Sequence, residues 1–218
     1  MDCKATVKIG EFSRGGLSRG DNKACDHDFA TQGNHTPCGI VDEDSGHLYI
    51  NMGCSHKTSD FIVDTLHGWW KSLPPEKQQG IDKIQLKSDN GPESSGIRTQ
   101  FLKRIVEFSD AIGKPIQILY FPPYHSKYNP IERCWGILEL HWNGTLLSDV
   151  NVMVKWAETM PWKGIHPSMS RDLVKPRDLF FFLFFNSLSC WGQWLYSSCV
   201  AISSGLPLAV FHHLLKDV

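Results

Sequence analysis

The run PIQILYF at residues 115–121 constrains the fold more than any other stretch. It carries no charge on either alternating face, so as a strand it has to be covered on both sides, inside a sheet rather than at its rim. A sheet covered on both faces needs helices above and below it. Upstream, Ile97, Phe101, Leu102, Ile105, Phe108 and Ile112 recur every three or four residues and predict one such helix. Downstream, PPYHSKYNPIERCW at 122–135 is a proline-stiffened loop that turns into another. Asn129 is suited to the N-cap, Pro130 to the first helical position, and Glu132 falls at the third, where its charge faces the positive helix end. Ile131, Trp135, Leu138 and Trp142 form the stripe to be buried. On this pattern alone, Glu132 either completes a capping box or presents its acid to a site.

The remaining segments give the order of elements. Ala5, Val7 and Ile9 alternate with polar residues as a half-buried strand, followed by a polar, glycine-rich stretch at 13–35. TPCGIV (36–41) and HLYINMG (47–53), joined by DEDSG, read as a hairpin. Thr58 or Ser59 caps a helix carrying Phe61, Ile62, Leu66, Trp69, Trp70 and Leu73 on one face, and Pro74-Pro75 ends it. IDKIQLKSD (81–89) alternates and closes on Asp89-Asn90-Gly91-Pro92, a strand entering a turn. Strand, hairpin, helix, strand, helix, strand, helix predicts an α/β fold, a mixed sheet flanked by helices. Ligands of such sheets gather at the carboxyl ends of parallel strands, which is where Asp89 stands. A carboxylate cluster of Asp89, Glu132 and a third acid near the first strand is therefore expected.

Charge and cysteine usage narrow the class. The net charge of −1 gives no global basic field of the kind that announces a nucleic-acid partner, although metal-holding carboxylates would offset basic residues in any total. Seven cysteines, an odd number and widely spread, with no signal peptide at Met1-Asp2-Cys3-Lys4, indicate reduced thiols and a cytoplasmic protein. Cys25, His27, His35, Cys38, Cys54 and His56 lack the tight repeated spacing of a zinc site, and the cysteines read as scattered core residues. Only Lys216 and Asp217 are charged after residue 178. That apolar tail has the length of a membrane span, about 20 residues, but Asn186, Gly192, Gln193, Gly205 and Pro207 interrupt it and argue against a membrane partner.

The segments DCKATVKIGEFSRGG (2–16), DHDF (26–29), TSDFIVDTLHGWW (58–70), SDNGPE (88–93) and YFPPYHSKYNPIERCWGILELHWNG (120–144) resemble the catalytic domain of DDE-type insertion-sequence transposases, the Rhodopirellula-type group in particular and mariner-like enzymes more distantly. The resemblance covers nearly all of residues 1–170. Its most specific parts are Asn-Pro-Ile-Glu after a proline-rich loop and Asp-Asn-Gly 43 residues before the glutamate. It implies an RNase H-like fold in which two aspartates and a glutamate hold two Mg2+ or Mn2+ ions for DNA cleavage and strand transfer. By motif position Asp89 is the second acid and Glu132 the third. Asp2, at the start of the first strand pattern, is preferred as the first acid over Asp26 or Asp28. His125, Lys127, Tyr128 and Arg133, beside Glu132, are the expected DNA contacts, and the family implies homo-oligomers acting on transposon ends and target DNA.

Departures from the family are also expected to matter. No strand residues precede Asp2, no end-recognition region precedes the domain, and residues 171–218 form a tail unlike the family. These features read as a truncated copy, complete in its acids yet not expected to transpose. The alternatives are a non-catalytic DNA-binding or interaction remnant with the same fold and an RNase H-like nuclease without strand transfer.

Overall fold

The computed structural model describes residues 1–11, 13–17, 33–54, 57–122, 128–171 and 201–202. Its first half is antiparallel. Strand β1 (Asp2–Cys3) and strand β2 (Val7–Ile9) both pair with the long β3 (Gly33–Val41), which pairs on its other side with β4 (Leu48–Gly53). Helices α1 (Ser59–Ser72) and α2 (Pro75–Gly80) lead to β5 (Ile84–Ser88), then α3 (Thr99–Ile112), β6 (Ile116–Tyr120), α4 (Pro130–Trp142), α5 (Val150–Glu158), β7 (Ser168–Ser170) and β8 (Ala201–Ile202). The strands fall into two groups, β1-β3-β4-β7 with β2 also on β3, and β5-β6-β8. The contact of β4 with β7 and both contacts of β6 are parallel. The chain is thus the mixed α/β fold that the order of elements predicts.

Alternation along the strands builds two cores. On β3, Cys38 and Ile40 face one cluster, and on β4 Tyr49 joins them, packed with Phe61, Leu66 and Trp70 of α1 and Phe101, Ile105 and Phe108 of α3. Leu48, Ile50 and Met52 of β4 face the opposite cluster, with Ile131, Trp135, Leu138 and Trp142 of α4 and Met153 and Val154 of α5. Helices therefore cover both faces of β3 and β4, whereas on β6 Gln117, Leu119 and Tyr120 stay half-buried, so the run at 115–121 is not covered on both sides as its lack of charge predicts. Strand β6, from within that run, buries Ile116 and Ile118 and has a strand on each side. Trp69, Trp70, Trp135 and Trp142 are all buried, in agreement with their helical spacing. Each large side chain removed from water in this way contributes about 1.5–3 kcal/mol.

Two local departures have physical causes. The helical pattern from Ile97 starts only at Thr99, because Arg98 donates from Nε to Ser59 Oγ and from Nη1 to the Pro92 carbonyl and holds 95–98 as a turn. Ile97 is left 91% exposed. Pro74-Pro75 does end α1, yet Pro75 also opens α2, since a missing N–H costs nothing at the first helical position.

One glycine ties the sheet to the helix that carries Glu132. Gly39 lies opposite Asp2 in the β1–β3 register, and a Cβ there would stand 2.6 Å from Ile131 Cδ1 and 2.7 Å from Trp135 Cη2. Overpacking of this kind costs typically about 1–3 kcal/mol. Gly39→Ala is expected to destabilise the fold by that amount, measurable by urea titration, because the methyl has to push α4 away from the sheet. A midpoint within error of the unsubstituted chain would show that α4 does not pack against β3 as described.

Candidate metal and DNA-strand-transfer site

The candidate site draws on three places in the chain. Asp2 opens β1, where its Oδ1 accepts from the Cys3 backbone N–H at 2.7 Å. Asp89 follows the last residue of β5. Glu132 lies in the first turn of α4, whose N-cap, Asn129, accepts from the Ile131 N–H while Pro130 occupies the first position. The cap, the proline and the glutamate therefore occur as the sequence predicts.

Burial, the Asp89 charge and the Glu132 side chain push the Asp2 carboxyl up, against the opposing pull of Lys57 and the Cys3 N–H, to about 6. Asp89 reaches further: burial first, and then its charge, push the Tyr120 hydroxyl up to about 12. Among the described residues no three His, Cys, Asp or Glu side chains stand ready as a metal-binding group. Asp2 thus has Asp89 and Glu132 as electrostatic neighbours, without a ready-made metal-binding group among the described residues.

The loop after Asp89 is fixed at several points. Ser94 Oγ donates to the Asp89 carbonyl at 3.1 Å and lies 3.4 Å from its Oδ1. The Tyr120 hydroxyl donates to the Ser94 carbonyl at 2.8 Å. Ser59 Oγ donates to the Glu93 carbonyl at 2.7 Å, and Gly96 N–H donates to Asn90 Oδ1. Ser59 is therefore an anchor for this loop, while Thr58, whose hydroxyl accepts from the Phe61 N–H, is the cap of α1.

Sequence reasoning missed Lys57. Its ammonium lies 3.8 Å from Asp2 Oδ1 and 3.8 Å from Glu93 Oε2. Burial disfavours the ammonium, but Cys3, Asp2, Asp89 and Glu93 outweigh it and hold the Lys57 pKa above its ordinary value. The available signal was a lone cation directly before the N-cap of α1, which gave no reason to connect it to Asp2. Because Lys57 is among the groups that favour ionised Asp2, Lys57→Gln is expected to raise the pH at which Asp2 titrates. Carboxyl-carbon NMR would follow that titration, and an unmoved Asp2 curve would place Lys57 outside the site.

The other expected residues divide. Asp26, Asp28, His125 and Lys127 lie outside the described residues, as does most of the apolar tail. Tyr128 is 62% exposed and Arg133 is exposed on the first turns of α4, so both are accessible to a large ligand. Cys38 is buried in the core and Cys54 is exposed. Among the described residues no helix is long and apolar enough to cross a membrane.

A family model described as the Rhodopirellula transposase DDE domain matches residues 1–175. Comparison with curated proteins and with solved structures finds no significant match.

Proposed function

The chain belongs to the Rhodopirellula transposase DDE domain family, and from that membership, which carries transposase-type action on DNA, we propose that Asp2, Asp89 and Glu132 hold two divalent metal ions for phosphodiester cleavage and strand transfer. The observation that carries this reading is the half-buried Asp2 carboxyl, with Lys57 3.8 Å away, pushed up to about 6 by burial with Asp89 and Glu132 as further contributors. Three hard oxygen donors suit Mg2+ or Mn2+, whose charge would offset the crowding that raises the Asp2 carboxyl. Bound there, the ions would supply a nucleophilic oxygen at neutral pH and stabilise the leaving oxygen of an in-line displacement.

The protein's own residues do the positioning. Asn129 and Pro130 set the start of α4 and with it the direction from which Glu132 enters. Ser94 and Tyr120 restrain the loop behind Asp89, and Lys57 keeps a positive charge beside Asp2. Arg133 and Tyr128 are positioned to meet phosphate or a base at the same end of α4, together with the DNA contacts proposed at His125 and Lys127. Asp2 has the weakest support, because β1 is two residues long. Metal sites depend on carboxylates held to within about half an ångström, so occupancy at Asp2 should limit the rate.

The test is to incubate the chain with Mn2+ or Mg2+ and a DNA carrying the ends of its own element, then resolve cleaved from joined strands. Joined products support strand transfer and overturn the expectation of a truncated copy that does not transpose. Nicked products alone would support the hydrolytic reading instead, and DNA binding without any metal-dependent product would support a non-catalytic DNA-binding domain.

A further inference from the structure

We propose, resting on the metal-site reading above, that Glu139 is a positioning residue: it holds the Lys4 ammonium away from Asp2 and Glu132 and so leaves both carboxylates open to a divalent ion. Glu139 stands two turns after Glu132 on the same face of α4, about 10 Å along the helix axis. Its two oxygens meet two different cations. Oε2 pairs with Lys4 Nζ at 3.1 Å, and Oε1 accepts from Arg14 Nη2 at 2.7 Å. The Glu139 side chain is 45% exposed, whereas those of Lys4 and Arg14 are each only 14% exposed. An isolated exposed ion pair holds little in place, but here two enclosed cations share one carboxylate.

The strand sets Lys4 beside the acids. Its N–H donates to the Pro37 carbonyl at 2.8 Å, one step beyond the pairs Asp2↔Gly39 and Cys3↔Cys38, so the extended line of β1 runs on through Lys4. Alternation then sends Cys3 to the cluster that holds Cys38, Ile40 and Tyr49, and sends Asp2 and Lys4 to the opposite face, about 7 Å apart. Gly39, the register partner of Asp2, meets Ile131 and Trp135 of α4 on that face. Strand and helix therefore oppose each other in two steps. Asp2 has Glu132 as its neighbour, acid beside acid, and Lys4 has Glu139, cation beside acid.

Arg14 fixes the anion from its other side. The guanidinium lies 5.4 Å from the centroid of the Trp142 ring, and the Gly15 carbonyl accepts from the Gly144 N–H at 2.8 Å, so residues 14 and 15 are held against the end of α4. With one oxygen of Glu139 fixed in this way, the other is left for Lys4. Without that carboxylate, Asp2 on the same strand face and Glu132 on the same helix face come within reach of a flexible lysine stem. Lys57 already stands 3.8 Å from Asp2. A second ammonium there would neutralise the charge that a divalent ion requires of its oxygen ligands.

The test compares the unsubstituted chain with Glu139→Gln, Glu139→Asp and the double variant Glu139→Gln/Lys4→Met. In metal-free protein, a carbodiimide joins an ammonium to a carboxylate it touches, and peptide mass mapping locates the new amide. Lys4 is expected to link to residue 139 in the unsubstituted and aspartate proteins, and to Asp2 or Glu132 in Glu139→Gln. Mn2+ titration followed by water-proton relaxation is the second readout. Glu139→Gln should bind Mn2+ about tenfold more weakly, and removing the ammonium as well should restore the affinity. A double variant as weak as Glu139→Gln at equal Tm would show that the carboxylate acts through packing alone and would overturn the role. So would a Glu139→Gln protein in which Lys4 links to neither acid. Should Glu139→Gln fail to fold, Glu139→Asp against the double variant carries the comparison: both are expected to bind like the unsubstituted chain, and a weak double variant overturns the role. If the unsubstituted chain binds no Mn2+, the metal reading falls, while the cross-link pattern still decides where Lys4 is held.

Discussion

Replacing Glu132 with glutamine is expected to reduce metal-dependent DNA strand cleavage by about a thousandfold or more, the equivalent of roughly 4 kcal/mol in the barrier. The fold should survive. Glu132 is exposed, and the start of α4 is held by Asn129 and Pro130 rather than by the glutamate. Glutamine keeps the size and one oxygen but loses the charge that a divalent ion requires from this donor. The measurement is conversion of supercoiled to nicked DNA in Mn2+, alongside a thermal melt of both proteins. A melt unchanged and a rate lowered assign the loss to chemistry. A variant that folds and cleaves at the original rate would remove Glu132 from the metal site and return it to helix capping alone.

The second large effect concerns Asp2 in the absence of metal. Its folded pKa is about 6, above the ordinary 3.8, so the native state binds the proton more tightly than the unfolded chain does. The stability this contributes is complete below the unfolded value and is lost as pH rises through 6. At pH 7 the ionised carboxylate costs roughly 3 kcal/mol, because each tenfold gain in proton affinity on folding corresponds to about 1.36 kcal/mol. Asp2→Asn is therefore expected to stabilise the metal-free protein at pH 7 by about 2–3 kcal/mol and to raise Tm by roughly 5–10 °C. Below pH 4 the two proteins should melt together. Added Mg2+ should stabilise the unsubstituted chain by binding its folded state, and the asparagine variant much less. A destabilised Asp2→Asn protein at pH 7 would contradict the reading that Asp2 is strained by its neighbouring acids.

How much of this was legible in the sequence depended on whether a signal was local. The cap at Asn129, the proline after it and the position of Glu132 are local, as are the strand end at Asp89 and the buried faces of α1, α3 and α4, and all of them appear in the fold. Lys57 was not legible, because its partner Asp2 is 55 residues away and nothing around Lys57 distinguishes it from an ordinary surface lysine. The start of α3 falls two residues later than the apolar repeat indicates for a similar reason: the Arg98 bonds to Ser59 and Pro92 are tertiary and override the repeat at Ile97. Helix α5 went unread, although Asp149 caps it by accepting from the Asn151 and Val152 N–H groups.

Whether Asp2, Asp89 and Glu132 act together as ligands of divalent metal is tested most directly by titrating the chain with Mn2+ at neutral pH, followed by water-proton relaxation or calorimetry. Two bound ions are expected in the unsubstituted protein. Asp89→Asn should lose at least one of them with a sharp fall in affinity, while circular dichroism shows the same fold. Equal stoichiometry and affinity in the two proteins, or no binding by the unsubstituted chain at millimolar Mn2+, would contradict a shared metal site.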